Sequence, residues 1–209
     1  LDTLEPHLFK RLTRRGNFDQ VLRGIKAAKE TGLSIKINMV ALKNFNDNEF
    51  LKMIQWCGEH GFDLTLIETM PMGEIDFHRN EQYIPLSEVR SNISKNFTLM
   101  ETNYRTGGPA RYALIKETGM RIGFITPLTH NFCESCNRIR LTCTGILYMC
   151  LGQNDAIDLK EALRSSEGNH VIEAAIDKAI SKKPKGHDFV IDRENGGPAV
   201  SRHMSVTGG

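Results

Sequence analysis

No stretch of the 209 residues approaches the roughly 18 consecutive apolar positions that a membrane-spanning helix requires. No leader segment is visible either, although a missing N-terminus would hide one. A large charge of one sign is also missing. The 27 basic and 25 acidic residues leave a formal charge of +2, too small by itself to imply a nucleic-acid partner. Cysteine is scarce and odd in number, with five in all, and four of them fall between positions 133 and 150. That count and grouping argue against a disulfide framework and point to thiols kept for a metal in a reducing compartment, hence the cytoplasm. What remains, 40% hydrophobic and 25% charged, is the composition of an ordinary globular protein of one or two domains.

Cys133, Cys136 and Cys150 form the spacing C-x2-C-x13-C, with Cys143 between them. Two cysteines separated by two residues can turn both sulfurs toward one ion or cluster. A third, returning on the next strand, completes a triangle of soft thiolates. The intervening residues predict that strand: Arg138, Arg140 and Thr142 alternate with Ile139 and Leu141, and 146–150 run back after Thr144 and Gly145. Thr144 is β-branched and resists the positive φ of a two-residue type I′ turn, so a three-residue loop at 143–145 with Gly145 left-handed is expected. This register sets Arg140 opposite Tyr148 and Arg138 opposite Cys150, and leaves Cys143 in the turn as a non-ligand. Two guanidinium groups and a thiolate then share one face, an arrangement suited to clamping a phosphate. Three protein thiolates also leave one coordination position open for substrate.

Ahead of the hairpin, residues 1–31 read as helical, with Phe18, Val21, Leu22, Ile25 and Ala28 at three- and four-residue steps. A strand at 34–40, a helix from Phe50 to Gly61 behind a cap at 46–49, and a strand at 63–70 form a βαβ unit with an expected parallel, right-handed crossover. Cys57 falls on the apolar stripe of that helix as a core residue. Lys36 and Asn38 share one side of the first strand. In a βα barrel that side lines the active site, where a lysine needs an anion; a lysine reaching solvent at a sheet edge is the alternative. Met70 ends the second strand. After Asn96 the texture turns to short strands at 112–116 and 121–126, which places the domain boundary between 1–97 and 98–209. Asp158 caps a helix, a second helix runs over 169–182, and 182–186 reads as a solvated basic loop.

Taken together these motifs resemble the radical SAM GTP 3′,8-cyclase family of molybdenum cofactor biosynthesis. The likeness rests on the run from Phe132 to Leu151, Gly123 to Pro127, Leu1 to Leu4, Lys36 to Asn38, Ile67 to Gly73, and Gly208 with Gly209, and it covers essentially the whole chain. The family's first motif, C-x3-C-x2-C, is absent, because Cys57 is the only cysteine before Cys133. The resemblance therefore implies a C-terminal portion of the enzyme, inactive alone. It implies an α/β fold: the C-terminal part of an incomplete, TIM-like βα barrel at 1–97, followed by a small α+β domain at 98–209 carrying an iron–sulfur cluster.

The same resemblance implies the site. Cys133, Cys136 and Cys150 would hold a second [4Fe–4S] cluster whose open iron meets guanine. Arg138 and Arg140 would be the catalytic residues and, with Lys36, would bind the GTP triphosphate. Met70 would lie against S-adenosylmethionine. A first [4Fe–4S] cluster on the missing portion would cleave S-adenosylmethionine, and the resulting radical would abstract hydrogen from the ribose C3′ so that the sugar closes onto guanine C8. A Gly-Gly tail entering the active site, a homodimer, and delivery of the product to cyclic pyranopterin monophosphate synthase are implied as well, with no membrane and no nucleic acid. Two positions depart from the family: Thr65 stands where relatives usually carry Arg, and Thr207 where Ile is more common. Two other readings compete with this one. The four clustered cysteines could hold zinc in a module that contacts nucleic acid through Arg138 and Arg140, and the Gly-Gly ending could be a sulfur-carrier tail.

Overall fold

A computed structural model describes residues 1–73, 79–130, 133–187, 189 and 198–207. They form two compact units, Leu1–Thr69 with Glu81–His130, and Met70–Asn80 with Asn131–Gly209. Among the described residues no helix is long and apolar enough to cross a membrane.

The first unit is built on a mixed sheet of order β1-β2-β5-β4-β3, from β1 (Lys36–Ala41), β2 (Asp63–Glu68), β3 (Leu99–Glu101), β4 (Arg111–Ile115) and β5 (Arg121–Ile125). Strands β1, β2 and β5 run parallel, while β4 and β3 are antiparallel additions. The expected βαβ pattern is present, with α3 (Phe50–His60) joining β1 to β2 and Gly61 ending the helix at φ 69°. Residues 1–31, expected to be helical with residues 14–16 ahead of the main helix, hold two helices, α1 (Pro6–Thr13) and α2 (Phe18–Glu30). Arg14 takes a φ of 63° between them, and the Asn17 side chain restarts the helix by accepting from Gln20 N at 3.0 Å. After β2 come α4 (Arg79–Gln82) and α5 (Leu86–Ile93).

Alternation along β1 buries Ile37, Met39 and Ala41 and exposes Lys36 and Asn38. The apolar face packs against Met53 and Ile54 of α3 and Val89 and Ile93 of α5. Burial of each such side chain contributes about 1.5–3 kcal/mol. At the end of β2 the buried carboxylate of Glu68 accepts hydrogen bonds from the N–H groups of Leu86 at 3.1 Å, Leu128 at 3.0 Å and Thr129 at 3.1 Å, and from the Thr129 hydroxyl. One side chain thereby fixes both the start of α5 and the loop after β5. Strand β5 pairs with β2, β4 with β5 and β3 with β4, so the short strands after residue 97 extend the sheet of the first unit, which runs to His130. Short strands look alike whichever sheet they join.

The second unit holds a three-stranded antiparallel sheet of order β6-β7-β8, from β6 (Arg140–Leu141), β7 (Ile146–Tyr148) and β8 (Ala156–Asp158), with α6 (Leu159–Arg164) and α7 (His170–Ser181). Asp158 caps α6 as expected, its Oδ1 accepting from Lys160 N at 2.8 Å and Glu161 N at 3.1 Å. Leu147, Met149, Leu159 and Ala179 form a small apolar cluster. A parallel bridge joins Met72 to Val200. There Gly73 N donates to Val200 O at 2.8 Å and Ala199 N donates to Pro71 O at 2.9 Å.

Candidate cluster and anion site

The β6–β7 hairpin has the register that its turn chemistry predicts. Arg140 lies opposite Tyr148 and Leu141 opposite Leu147. Thr142 N donates to Ile146 O at 2.9 Å, and Gly145 N donates to Thr142 O at 3.1 Å. Gly145 has φ 88°, and a Cβ there would stand 2.8 Å from that of Lys160, so both backbone and space require glycine. Cys143 is exposed in this loop, while Cys133, Cys136 and Cys150 are half-buried. Arg138 and Cys150 lie beyond the last ladder pair, and Cys133–Ser135 form one turn of 3-10 helix.

Electrostatics links the three half-buried sulfurs to the two guanidiniums. Burial pushes the Cys133 thiol up, opposed by a hydrogen bond from the His187 backbone, and the neighbouring Cys150 and Cys136 add to the rise. Burial acts on Cys136 in the same sense but is outweighed. The backbone and side chain of Arg138 donate to its sulfur, and the charges of Arg138 and Lys183 assist, so this thiol is held below its ordinary value. Burial and the adjacent Arg138 draw Arg140 down, while Cys136 acts in the opposite sense. Among the described residues no three His, Cys, Asp or Glu side chains stand close enough to grip one metal ion. Three soft thiols beside Arg138, Arg140 and Lys183 are donors suited to an anionic metal centre, with cations at hand for an anionic ligand.

Three residues that hold this neighbourhood together escape sequence reading. Lys183, in the stretch expected to be a solvated loop, instead sends its ammonium to Arg138 O at 2.8 Å and Met149 O at 2.7 Å. Hydrogen bonds to a charged donor of this kind are worth about 1.5–3 kcal/mol each. Arg202 donates from Nη2 to Leu151 O at 2.9 Å and Gln153 O at 3.0 Å, and from Nη1 to Asn154 Oδ1 at 2.9 Å. Its guanidinium stacks 3.9 Å over the Tyr148 ring. The third is His187, whose contribution to Cys133 is backbone. Lys183 and Arg202 satisfy the carbonyls of Arg138, Met149, Leu151 and Gln153, backbone outside the ladder that must find donors elsewhere.

The stretch after β2 also belongs here. Met70 is half-buried, and the left-handed Gly73, at φ 68°, lies under the His203 ring, where a Cβ would come within 2.5 Å of Nδ1. Residues 70–73, the hairpin and 198–207 are thus joined within one unit. Thr207 is buried there, its hydroxyl donating to Met204 O at 3.0 Å. Phe132, Gly208 and Gly209 lie outside the described residues.

Lys36 belongs to the first unit. Its Nζ stands 3.5 Å from the Tyr112 hydroxyl, and Tyr104 meets the Tyr112 ring edge-on at 5.0 Å. Beneath them Thr65 is 1% exposed, and its Oγ1 has no hydrogen-bond partner among the described residues. Gly123 supplies the space, since a Cβ there would press on Tyr112 at 2.9 Å and Thr65 Oγ1 at 3.1 Å. Sequence reading singled out Lys36 but not Tyr112.

A mixed parallel sheet under helices, followed by a unit built round a thiol-rich hairpin, defines an α/β protein with a thiol and guanidinium site. Residues 1–57 match the Radical SAM superfamily, and residues 62–189 match Molybdenum Cofactor Synthesis C. The chain belongs to the Molybdenum Cofactor Synthesis C family. Over all 209 residues it is 63% identical to the GTP 3′,8-cyclase of Brucella canis, covering 61% of that protein. It is 62% identical to the GTP 3′,8-cyclase of Rhizobium etli, covering 60%. The chain thus spans about three-fifths of the length of these curated relatives.

Proposed function

We propose that this chain is the part of a GTP 3′,8-cyclase of molybdenum cofactor biosynthesis that carries the second [4Fe–4S] cluster and the GTP site. The observation that supports it is the grouping of Cys133, Cys136 and Cys150 with Arg138 and Arg140 in one electrostatic neighbourhood. The three thiolates hold the cluster. Arg138 and Arg140 clamp the triphosphate and hold the nucleotide in one orientation, which is the main demand when a reactive centre must close on one atom, and Lys36 on the open face of β1 is proposed as a further GTP-binding cation. When bound, the cluster supplies an open iron for the guanine base, and a first cluster outside this chain supplies cleavage of S-adenosylmethionine. Met70 packs against S-adenosylmethionine. In this reading the first unit is the C-terminal part of an incomplete βα barrel. The intact protein works as a cytoplasmic homodimer and hands its product to cyclic pyranopterin monophosphate synthase.

The test is anaerobic reconstitution of the chain with iron and sulfide, followed by iron analysis and GTP titration. Cys150→Ser is expected to lose iron and Cys143→Ser to keep it. Arg140→Ala should keep iron while weakening GTP binding about 10- to 100-fold, the effect of losing charge-assisted hydrogen bonds. A colourless zinc protein, or wild-type GTP affinity in Arg140→Ala, overturns the reading.

A further inference from the structure

The carbonyls on both sides of Cys150 are taken by cations from outside the hairpin. Met149 O accepts from Lys183 Nζ at 2.7 Å, and Leu151 O accepts from Arg202 Nη2 at 2.9 Å. The same ammonium bonds the carbonyl of Arg138, two residues after Cys136, and the same guanidinium covers the ring of Tyr148, two residues before Cys150. We propose that Lys183 and Arg202 are positioning residues for the third cluster ligand, a two-point cationic clip that fixes the backbone on either side of Cys150 and so the direction of its sulfur.

The need for a clip follows from where the sheet stops. Arg140 and Tyr148 are the last ladder pair on the side toward Cys150, so among the described residues no strand partner orients the peptide planes that flank this cysteine. Rotation of either plane would swing Sγ away from a shared centre. Backbone carbonyls are strong acceptors, and cationic donors hold them more firmly than neutral ones. Neither donor belongs to the hairpin: Lys183 follows α7, and Arg202 lies in the segment 198–207.

The inference rests on the iron–sulfur reading, and its test separates the two. The full chain, reconstituted anaerobically, is challenged with an iron chelator and its reduced form examined by electron paramagnetic resonance. Lys183→Met and Arg202→Met are expected to release iron at least tenfold faster than wild type, with an altered spectrum, and Arg202→Lys to fall between. Lys185→Met, which removes an exposed charge from the same loop, should release iron at the wild-type rate. Amide exchange across β2 should be unchanged in all four, which shows the first unit intact. Release within twofold of wild type for both methionine variants, or equal acceleration by Lys185→Met, overturns the clip. A wild-type chain that takes up no iron overturns instead the iron–sulfur reading, and faster amide exchange over 147–151 in the two variants then decides the clip by itself.

Discussion

In the first unit eighteen buried apolar side chains form one continuous cluster, whereas the corresponding cluster among the described residues of the second unit has four. The second unit relies instead on charged donors seated on backbone carbonyls and on a parallel bridge of one residue pair. Area removed from water stabilises without direction, while hydrogen bonds place particular atoms but contribute little net free energy. The contrast teaches which region tolerates change. A core of many contacts absorbs small errors, and a site held by a few donors does not. A bound cluster would add to the second unit the stability that its small core lacks, as ligands of a native state do.

The contrast is most directly broken at Leu66, which is fully buried on β2. Leu66→Ala is expected to lower unfolding free energy by about 2–5 kcal/mol in a urea titration, with or without iron. A loss well below that would mean the sheet is not the main source of stability. A smaller effect should appear with pH. Burial pushes the Cys57 thiol up to about 12, so the native state keeps a proton that the unfolded chain releases above its ordinary value of about 8.5. Stability from this group is therefore complete below about pH 8.5 and declines by about 1.4 kcal/mol per pH unit as pH rises toward 12. Urea midpoints at pH 8 and pH 10.5 would show the decline, and Cys57→Ala should lack this component of it. The smallest change is expected at Thr65. Thr65→Val removes a buried hydroxyl that has no partner among the described residues and should stabilise by about 1 kcal/mol. Loss of GTP affinity in the same variant would show that the hydroxyl meets the ligand.

The parts of the fold readable in sequence are those set by local periodicity and turn chemistry. Alternation on β1 placed Lys36 and Asn38 on the open face. The pair Thr144 and Gly145 gave the hairpin register, and Asp158 announced α6. Gly16 marks where the main helix starts, whereas the positive φ at Arg14 leaves no sign, because arginine is not a residue from which it is expected. Strand β3 is only three residues long, and its assignment comes from pairing with β4. Glu68 reads as an ordinary strand-end acid until its amide donors are seen. Lys183 and Arg202 were hidden for a related reason. Their partners are carbonyls far along the chain, and a carbonyl has no residue type. The three thiols and two guanidiniums were thus visible in the sequence, but the donors around them were not.

The bridge between Met72 and Val200 also sets an order of events during synthesis. The sheet of the first unit lies within residues 1–130, so it can form on a nascent chain before the second unit is made. Residues 70–73 must wait for Val200, and the carbonyls of Leu151 and Gln153 for Arg202, and closure over such a span is slow. The contacts that tie 70–73 and the hairpin to 198–207 therefore close late in the folding of this chain, after the sheet of the first unit.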